Sequence, residues 1–157
     1  MRPRRPFAQH RSATAVVETA VVLPVFLTLL LGIIEFGHAQ LIGNLLQSAC
    51  RNGARLGSTE GTTTSDIQAR VRQTLGAAIA AHVVSIYVND ASVYDSGGAA
   101  PTTTAGIEAL PALEVSQAEP RQMFVVRAKV AYNNVALIPF SFFSGVVLDA
   151  QSFMRHE

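Results

Sequence analysis

Apolar residues run from Ala15 to Ile34 with Glu18 as the only charge, preceded by a short polar and basic stretch. Twenty residues at 1.5 Å rise make about 30 Å of helix, enough to cross the hydrocarbon core of a bilayer. Pro24 lacks a backbone donor and predicts a weakened or kinked turn just upstream of it. Past Glu35 the pattern changes but its period does not. Leu41, Ile42, Leu45, Leu46 and Ala49 recur at helical spacing, with Gln40, Asn44, Gln47 and Arg51 between them. The spacing predicts one helix from about residue 14 to about residue 56, with an amphipathic outer half. Gly57 and the tract STEGTTTS (58–65) end it. Gly32, Gly37, Gly43 and Gly53 permit close approach of neighbouring helices in a membrane or a bundle.

A second helix is expected after Ser65 as N-cap and Asp66 in the first turn, because Ile67, Val71, Leu75 and Ile79 fall four residues apart. Three stretches then alternate as strands do. In VVSIYVND (83–90), Val84, Ile86 and Val88 alternate with Ser85 and Tyr87. In QMFVVRAKVAYN (122–133), Phe124, Val126, Ala128 and Val130 oppose Arg127 and Lys129 on the wet side. VVLDAQSFMR (146–155) closes the chain. Between the first two strands, SGGAAPTTTAG (96–106) reads as an exposed, flexible loop. The fold class is therefore α+β: a long N-terminal transmembrane and amphipathic helix, then a small head of one helix and about three antiparallel strands. The segments are a basic leader at 1–13, a transmembrane helix at 14–35, its amphipathic extension at 36–58 and the head at 59–157.

Charge placement orients this arrangement. Four of the 12 Lys and Arg residues (Arg2, Arg4, Arg5 and Arg11) precede Ala13, leaving eight against all 11 acids in the rest. A basic leader before the span places the N-terminus in the cytoplasm and the head outside. No later stretch gathers the cations that a phosphate backbone needs, so nucleic acid is not an expected partner. The single cysteine, Cys50, excludes an intramolecular disulfide and any cysteine-clustered metal or haem site. Beside Ala49 at helical spacing it reads as a small buried hydrophobe, with an intermolecular bridge or a reactive thiol as the alternative.

Glu18 is the residue that an anchor alone does not need. A carboxylate in hydrocarbon costs about 3 kcal/mol on insertion scales, which makes it a functional hypothesis by default. Two readings of it stay open on physics alone: snorkelling to the cytoplasmic interface, and pairing with a cation of a neighbouring helix. Glu35 and His38, at i and i+3, read as a solvated cap on the outer end of the span, and Arg51 and Arg55 as a solvated helix face.

The basic leader, the small residue Ala13, Glu18 five positions on, the apolar run ending Gly-Ile-Ile-Glu-Phe-Gly (32–37), the segment LLQSACRNGARLGST (45–59) and the terminal strand together resemble the TadE-like pseudopilins of tight-adherence (Flp-type) pili. The resemblance implies processing by a prepilin peptidase at the cytoplasmic face, between Ala13 and Thr14, which puts Glu18 at the fifth mature position. The family favours Gly before the cut and often an aromatic after the Glu; this chain has Ala13 and Thr19. It further implies a structural or priming subunit of the pilus, or of a related secretion apparatus. The implied partners are the peptidase, other pilins and pseudopilins contacted through the N-terminal helix, the inner-membrane assembly platform and the lipid bilayer. The implied location is the inner membrane, with the head in the periplasm and incorporation into the pilus as a further possibility. In that setting the new ammonium of Thr14 meets the Glu18 carboxylate of a neighbour and fixes register, while Pro24 adjusts the helix during extraction.

Other classes fare worse. A membrane-tethered periplasmic accessory or binding module that keeps its leader is the runner-up. Gly37-His38-Ala39 loosely resembles a signal-peptidase site, but the apolar run is long for a signal peptide. For an enzyme, the serines, His82 and the acids form no nucleophile elbow, no His pair at ligand spacing and no phosphate-cradling loop. No catalytic, cofactor-binding or metal-binding residue is assigned.

Overall fold

A computed structural model describes residues 8–76, 78–97, 99, 101–138 and 145–157, of which residues 8–13 are described by backbone alone. Residues 1–7 of the leader, and residues 98 and 100 of the 96–106 stretch, lie outside the described residues. Helix α1 spans Ala8–Gly57, 50 residues. The chain divides into two compact units, one ending at Gly37 and the other running from His38 to Glu157. The outer half of α1 is thus a core element of the head. Ile42, Leu46, Ala49, Cys50 and Ala54 are buried there, as the spacing required, whereas Leu41 is exposed.

Helix α2 covers Thr64–Leu75 and buries Ile67, Val71 and Leu75 on one face. Its N-cap is Thr63, not Ser65. The Thr63 hydroxyl accepts from Asp66 N at 3.2 Å, and Asp66 Oδ2 accepts from Thr63 N at 3.0 Å. This reciprocal pair satisfies two otherwise orphaned donors, and Ser65 has no comparable acid three residues on. The pair also holds the Asp66 carboxyl below its usual range, chiefly through the Thr63 side chain.

Strands β1 (Val84–Asp90), β2 (Met123–Ala131) and β3 (Val147–Arg155) form an antiparallel sheet in that order. Val88 lies opposite Val126, and Ala128 opposite Ala150. The face carrying Val84, Ile86, Val88, Phe124, Val126, Ala128, Val130 and Ala150 packs with α1 and α2 in one core. Gly53 and Gly57 make that packing possible. A Cβ on Gly53 would lie 2.6 Å from Val71 Cγ2, and one on Gly57 would lie 2.5 Å from Ile67 Cδ1.

The second face of the sheet is covered as well. Residues from both sides of the 96–106 stretch cover it, with Ala91 and Ile107 buried against Val125 and Tyr94 and Leu110 packed beside them. Tyr94 meets Phe153 edge-on at 5.1 Å, and Asp95 accepts from Arg155 at 2.7 Å. Residues 104–106, expected within a loop, instead open a short helix, α3 (Thr104–Glu108), capped by the Thr103 side chain on Gly106 N. Thr103 is a side-chain acceptor in extended backbone, which is what an N-terminus needs. Residues 96, 97 and 99 are exposed, as expected.

Candidate functional site

The N-terminal half of α1 carries the sequence-derived site. Every residue from Thr14 to Leu30 is exposed, including Val16, Val17, Val21, Val22 and Phe26. A helix apolar on all sides is stable only where lipid or other protein surrounds it. It is the one helix among the described residues long and apolar enough to cross a membrane. Its polar residues are made compatible with that setting locally. Thr19 donates to Ala15 O and Thr28 to Pro24 O, each at 2.8 Å, so both hydroxyls are satisfied within the helix.

Glu18 has no such local answer, because a carboxylate cannot donate to a carbonyl. It remains the single formal charge between Thr14 and Ile34, on a surface of valines, leucines and Phe26. Thr14 and Glu18 stand one turn apart on the same side of α1, as i and i+4 require. Pro24 lies six residues further on. The helix continues across Pro24 without a break, although the ring leaves the Ala20 carbonyl without its usual donor. Ala13 is helical in backbone, so the Ala13–Thr14 peptide bond lies within α1. Gly32, Gly37 and Gly43 have open space where a Cβ would stand, unlike Gly53.

Glu35 differs from expectation: it is fully buried, not a solvated cap. His38 is half-buried, and its Nε2 lies 2.8 Å from Val135 O. The expectation of a cap rested on proximity in sequence, which carries no information on burial. Arg51 and Arg55 are exposed, as expected of a solvated helix face, and His82 is exposed too.

Within the head, Arg127 is the residue that sequence reasoning misplaced. Alternation put it on a wet face, but it is only 1% exposed. Its guanidinium donates to Asp149 Oδ2 at 2.8 Å and to Thr104 O at 2.7 Å, and lies 3.6 Å from Glu108 Oε1. Lys129 also donates to Glu108 at 2.6 Å, and this bond chiefly holds the Glu108 carboxyl below its usual range and raises the lysine. The signal in the sequence was Met123 and Val125, apolar residues on the supposedly wet face of β2, which point to a strand covered on both sides. Ion pairs thus tie Glu108 and Asp95 to the sheet strands.

Cys50 is buried at the centre of the head, its Sγ 3.4 Å from Ala150 O. Burial pushes its thiol up to about 12, so the thiolate needed for exchange or alkylation is scarce at neutral pH. The small-hydrophobe reading is the one that this geometry favours. Among the described residues, no group of three His, Cys, Asp or Glu side chains gathers at metal-holding distance.

With Glu18, Pro24 and the continuous helix in place, comparison with known families becomes informative. Residues 13–55 match the model of the TadE-like protein family. The TadE-like segment begins at Ala13, includes Thr14, Glu18 and Pro24, and ends two residues before α1 does. It takes in the exposed apolar helix and the portion of the head core supplied by Ile42, Leu46, Ala49, Cys50 and Ala54. No curated protein and no solved structure matches the chain. The match ends at residue 55, so the rest of the head lies outside it.

Proposed function

We propose that the chain is a minor pseudopilin, a structural or priming subunit in the assembly of a tight-adherence pilus or a related secretion apparatus. The observation that carries this is Glu18, a lone carboxylate on the fully exposed apolar part of a helix that matches the TadE-like family. An anchor gains nothing from that charge. A subunit that packs its helix against others gains a register mark, because the carboxylate is tolerable only opposite a cation. Removal of residues 1–13 by a prepilin peptidase supplies that cation as the Thr14 ammonium. An intramolecular pairing one turn away and a pairing with the next subunit use the same two groups, and the second fixes axial position. Since the Ala13–Thr14 bond is helical, the first turns of α1 must unwind for the peptidase to reach it. Those turns are the least expensive to open, because a helix end frays.

The protein then resides in the inner membrane as a single-pass subunit with its head in the periplasm. Its role is structural, and the chemistry is done to it by the peptidase. The test is Glu18→Ala in the native host. Membrane insertion and leader removal should persist, while co-purification with other pilins and piliation fall together. Wild-type piliation in that variant would remove the register argument. A second reading, a tethered periplasmic accessory module with its leader retained, is favoured by one observation: Ala13 replaces the family's preferred Gly within a continuous helix. Indifference to Glu18→Ala together with an intact leader would support it.

A further inference from the structure

The two edges of the sheet are finished differently. Along β1, Asp90 N donates to Pro111 O at 2.8 Å and Leu113 N to Val88 O at 3.1 Å, so residues 111–113 cover one end of that edge. Along β3 the described residues supply no such cover. The direction of its backbone groups follows from the bonds at both ends of the β2–β3 ladder. There Tyr132 N donates to Val146 O at 2.8 Å, and His156 N to Gln122 O at 2.9 Å. Even-numbered residues of β3 therefore face β2, and Asp149, Gln151, Phe153 and Arg155 turn their N–H and C=O groups outward. Of those groups only Gln151 O has a partner, Gln47 Nε2 at 2.9 Å.

A long, regular edge of unpaired backbone is a template for a further strand, and proteins ordinarily blunt it with Pro, Lys, a bulge or a short length. Residues 147–155 contain neither Pro nor Lys, and their register with β2 runs unbroken over nine pairs. The charges that the strand does carry are neutralised from within the chain, Asp149 by Arg127 at 2.8 Å and Arg155 by Asp95 at 2.7 Å. We propose that β3 pairs through residues 149–155 with an extended segment of another polypeptide, which becomes a fourth strand of the sheet. Backbone groups in a row select an extended chain above any other occupant. A second copy of β3 is the poorer candidate. Gln47 reaches Gln151 O, and Ser58 O accepts from Glu157 N at 3.0 Å, so residues 47–58 of α1 lie along the outer side of β3. A copy related by a two-fold axis would bring its own α1 into that space, whereas a lone strand brings none. The chemistry of the added segment follows: free of Pro, without need of charge, and aromatic or β-branched opposite the exposed Phe153. This pairing serves a pilus subunit and a tethered accessory module alike, so it does not rest on the pilus role.

Residue-level hydrogen exchange reads the pairing directly, because inward and outward amides alternate along β3. In dilute, purified full-length protein in detergent, the amides of Asp149, Gln151, Phe153 and Arg155 should exchange fast, and those of Ala150, Ser152 and Met154 slowly. In protein labelled within native-host membranes and then purified under quench, the outward amides should slow about tenfold or more, and the alternation should vanish. Gln151→Pro removes one outward N–H at an edge position where proline is tolerated. In membranes that variant should lose the slowing at Asp149, Phe153 and Arg155, while slow inward amides in the purified variant show that the sheet is intact. The wild-type comparison stands whatever the variant does. Fast outward amides in native membranes would overturn the proposal. Slow outward amides already present in the dilute protein would overturn it too, because the chain would then cover its own edge. Slowing reproduced by concentrating the purified protein would overturn it in favour of a second copy. Slowing that survives Gln151→Pro in an intact sheet would overturn it as burial without strand pairing.

Discussion

Gly43→Ala and Gly53→Ala are the same substitution in the same helix, yet they should move stability in opposite directions. Alanine improves helix propensity over glycine by about 1 kcal/mol at an interior position. At Gly43 nothing lies within 4 Å of the added methyl, so that gain stands alone. At Gly53 the methyl would meet Val71 Cγ2 at 2.6 Å, Ile67 Cγ2 at 3.3 Å and Val126 Cγ1 at 3.6 Å. All three neighbours are fully buried and β-branched, so they cannot swing aside within their preferred rotamers. Overpacking of this kind costs about 1–3 kcal/mol, and stiff neighbours place it toward the upper end. The net expectation is about 1 kcal/mol of stabilisation for Gly43→Ala and about 1–2 kcal/mol of destabilisation for Gly53→Ala. Cys50 provides the assay, since its buried thiol becomes reactive only when the head opens. Full-length protein in detergent, labelled by a maleimide pulse across a urea series, gives the midpoint for each variant. A Gly53→Ala midpoint at or above that of Gly43→Ala would refute the packing of α1 on α2 described above.

Further expectations follow from the charged groups of the head. Arg127→Ala strands Asp149 and the Thr104 carbonyl and should cost about 2–4 kcal/mol, whereas Arg127→Met, which keeps most of the volume, should cost less; equal urea midpoints for the two would contradict the ion-pair role. Asp66, Glu108 and Glu114 all have depressed carboxyl values in the folded state, Glu114 chiefly through the Thr64 backbone N–H. Their contribution is therefore present above the unfolded carboxylate range near pH 4 and is lost as pH falls through the lower folded values. Hydrogen exchange at α2 and at residues 104–108 should accelerate on acidification before the sheet does, and Asp66→Asn should blunt the response at α2. Thr63→Ala should fray the start of α2 at a cost of about 1 kcal/mol, read as faster exchange of the amide of Asp66.

Much of this architecture was legible because two periodicities change cleanly along the chain. The apolar run and the i, i+4 positions of α2 left little choice of element, and the alternation of β1 located its edges within a residue. What escaped was information that no single segment carries. Thr63 rather than Ser65 caps α2 because its backbone is extended and its side chain exchanges bonds with Asp66, while Ser65 already lies inside the helix. Arg127 is buried because a distant segment covers a position that local patterning assigned to solvent. The burial of Arg127 depends on Thr104, Glu108 and Asp149, each about twenty residues away in sequence. Within the membrane segment, Glu18, Thr14 and Pro24 were legible as types and spacings, since one helix determines their mutual placement.

The N-terminal sequence of the protein recovered from native membranes is the most direct measurement of its role. A start at Thr14 is expected: it would place an ammonium one turn from Glu18 and show that Ala13 is accepted before the cut. A retained Met1 or Arg2 would contradict pseudopilin processing and leave a tethered accessory protein. A start at Gln40 would remove the membrane helix from the mature chain altogether.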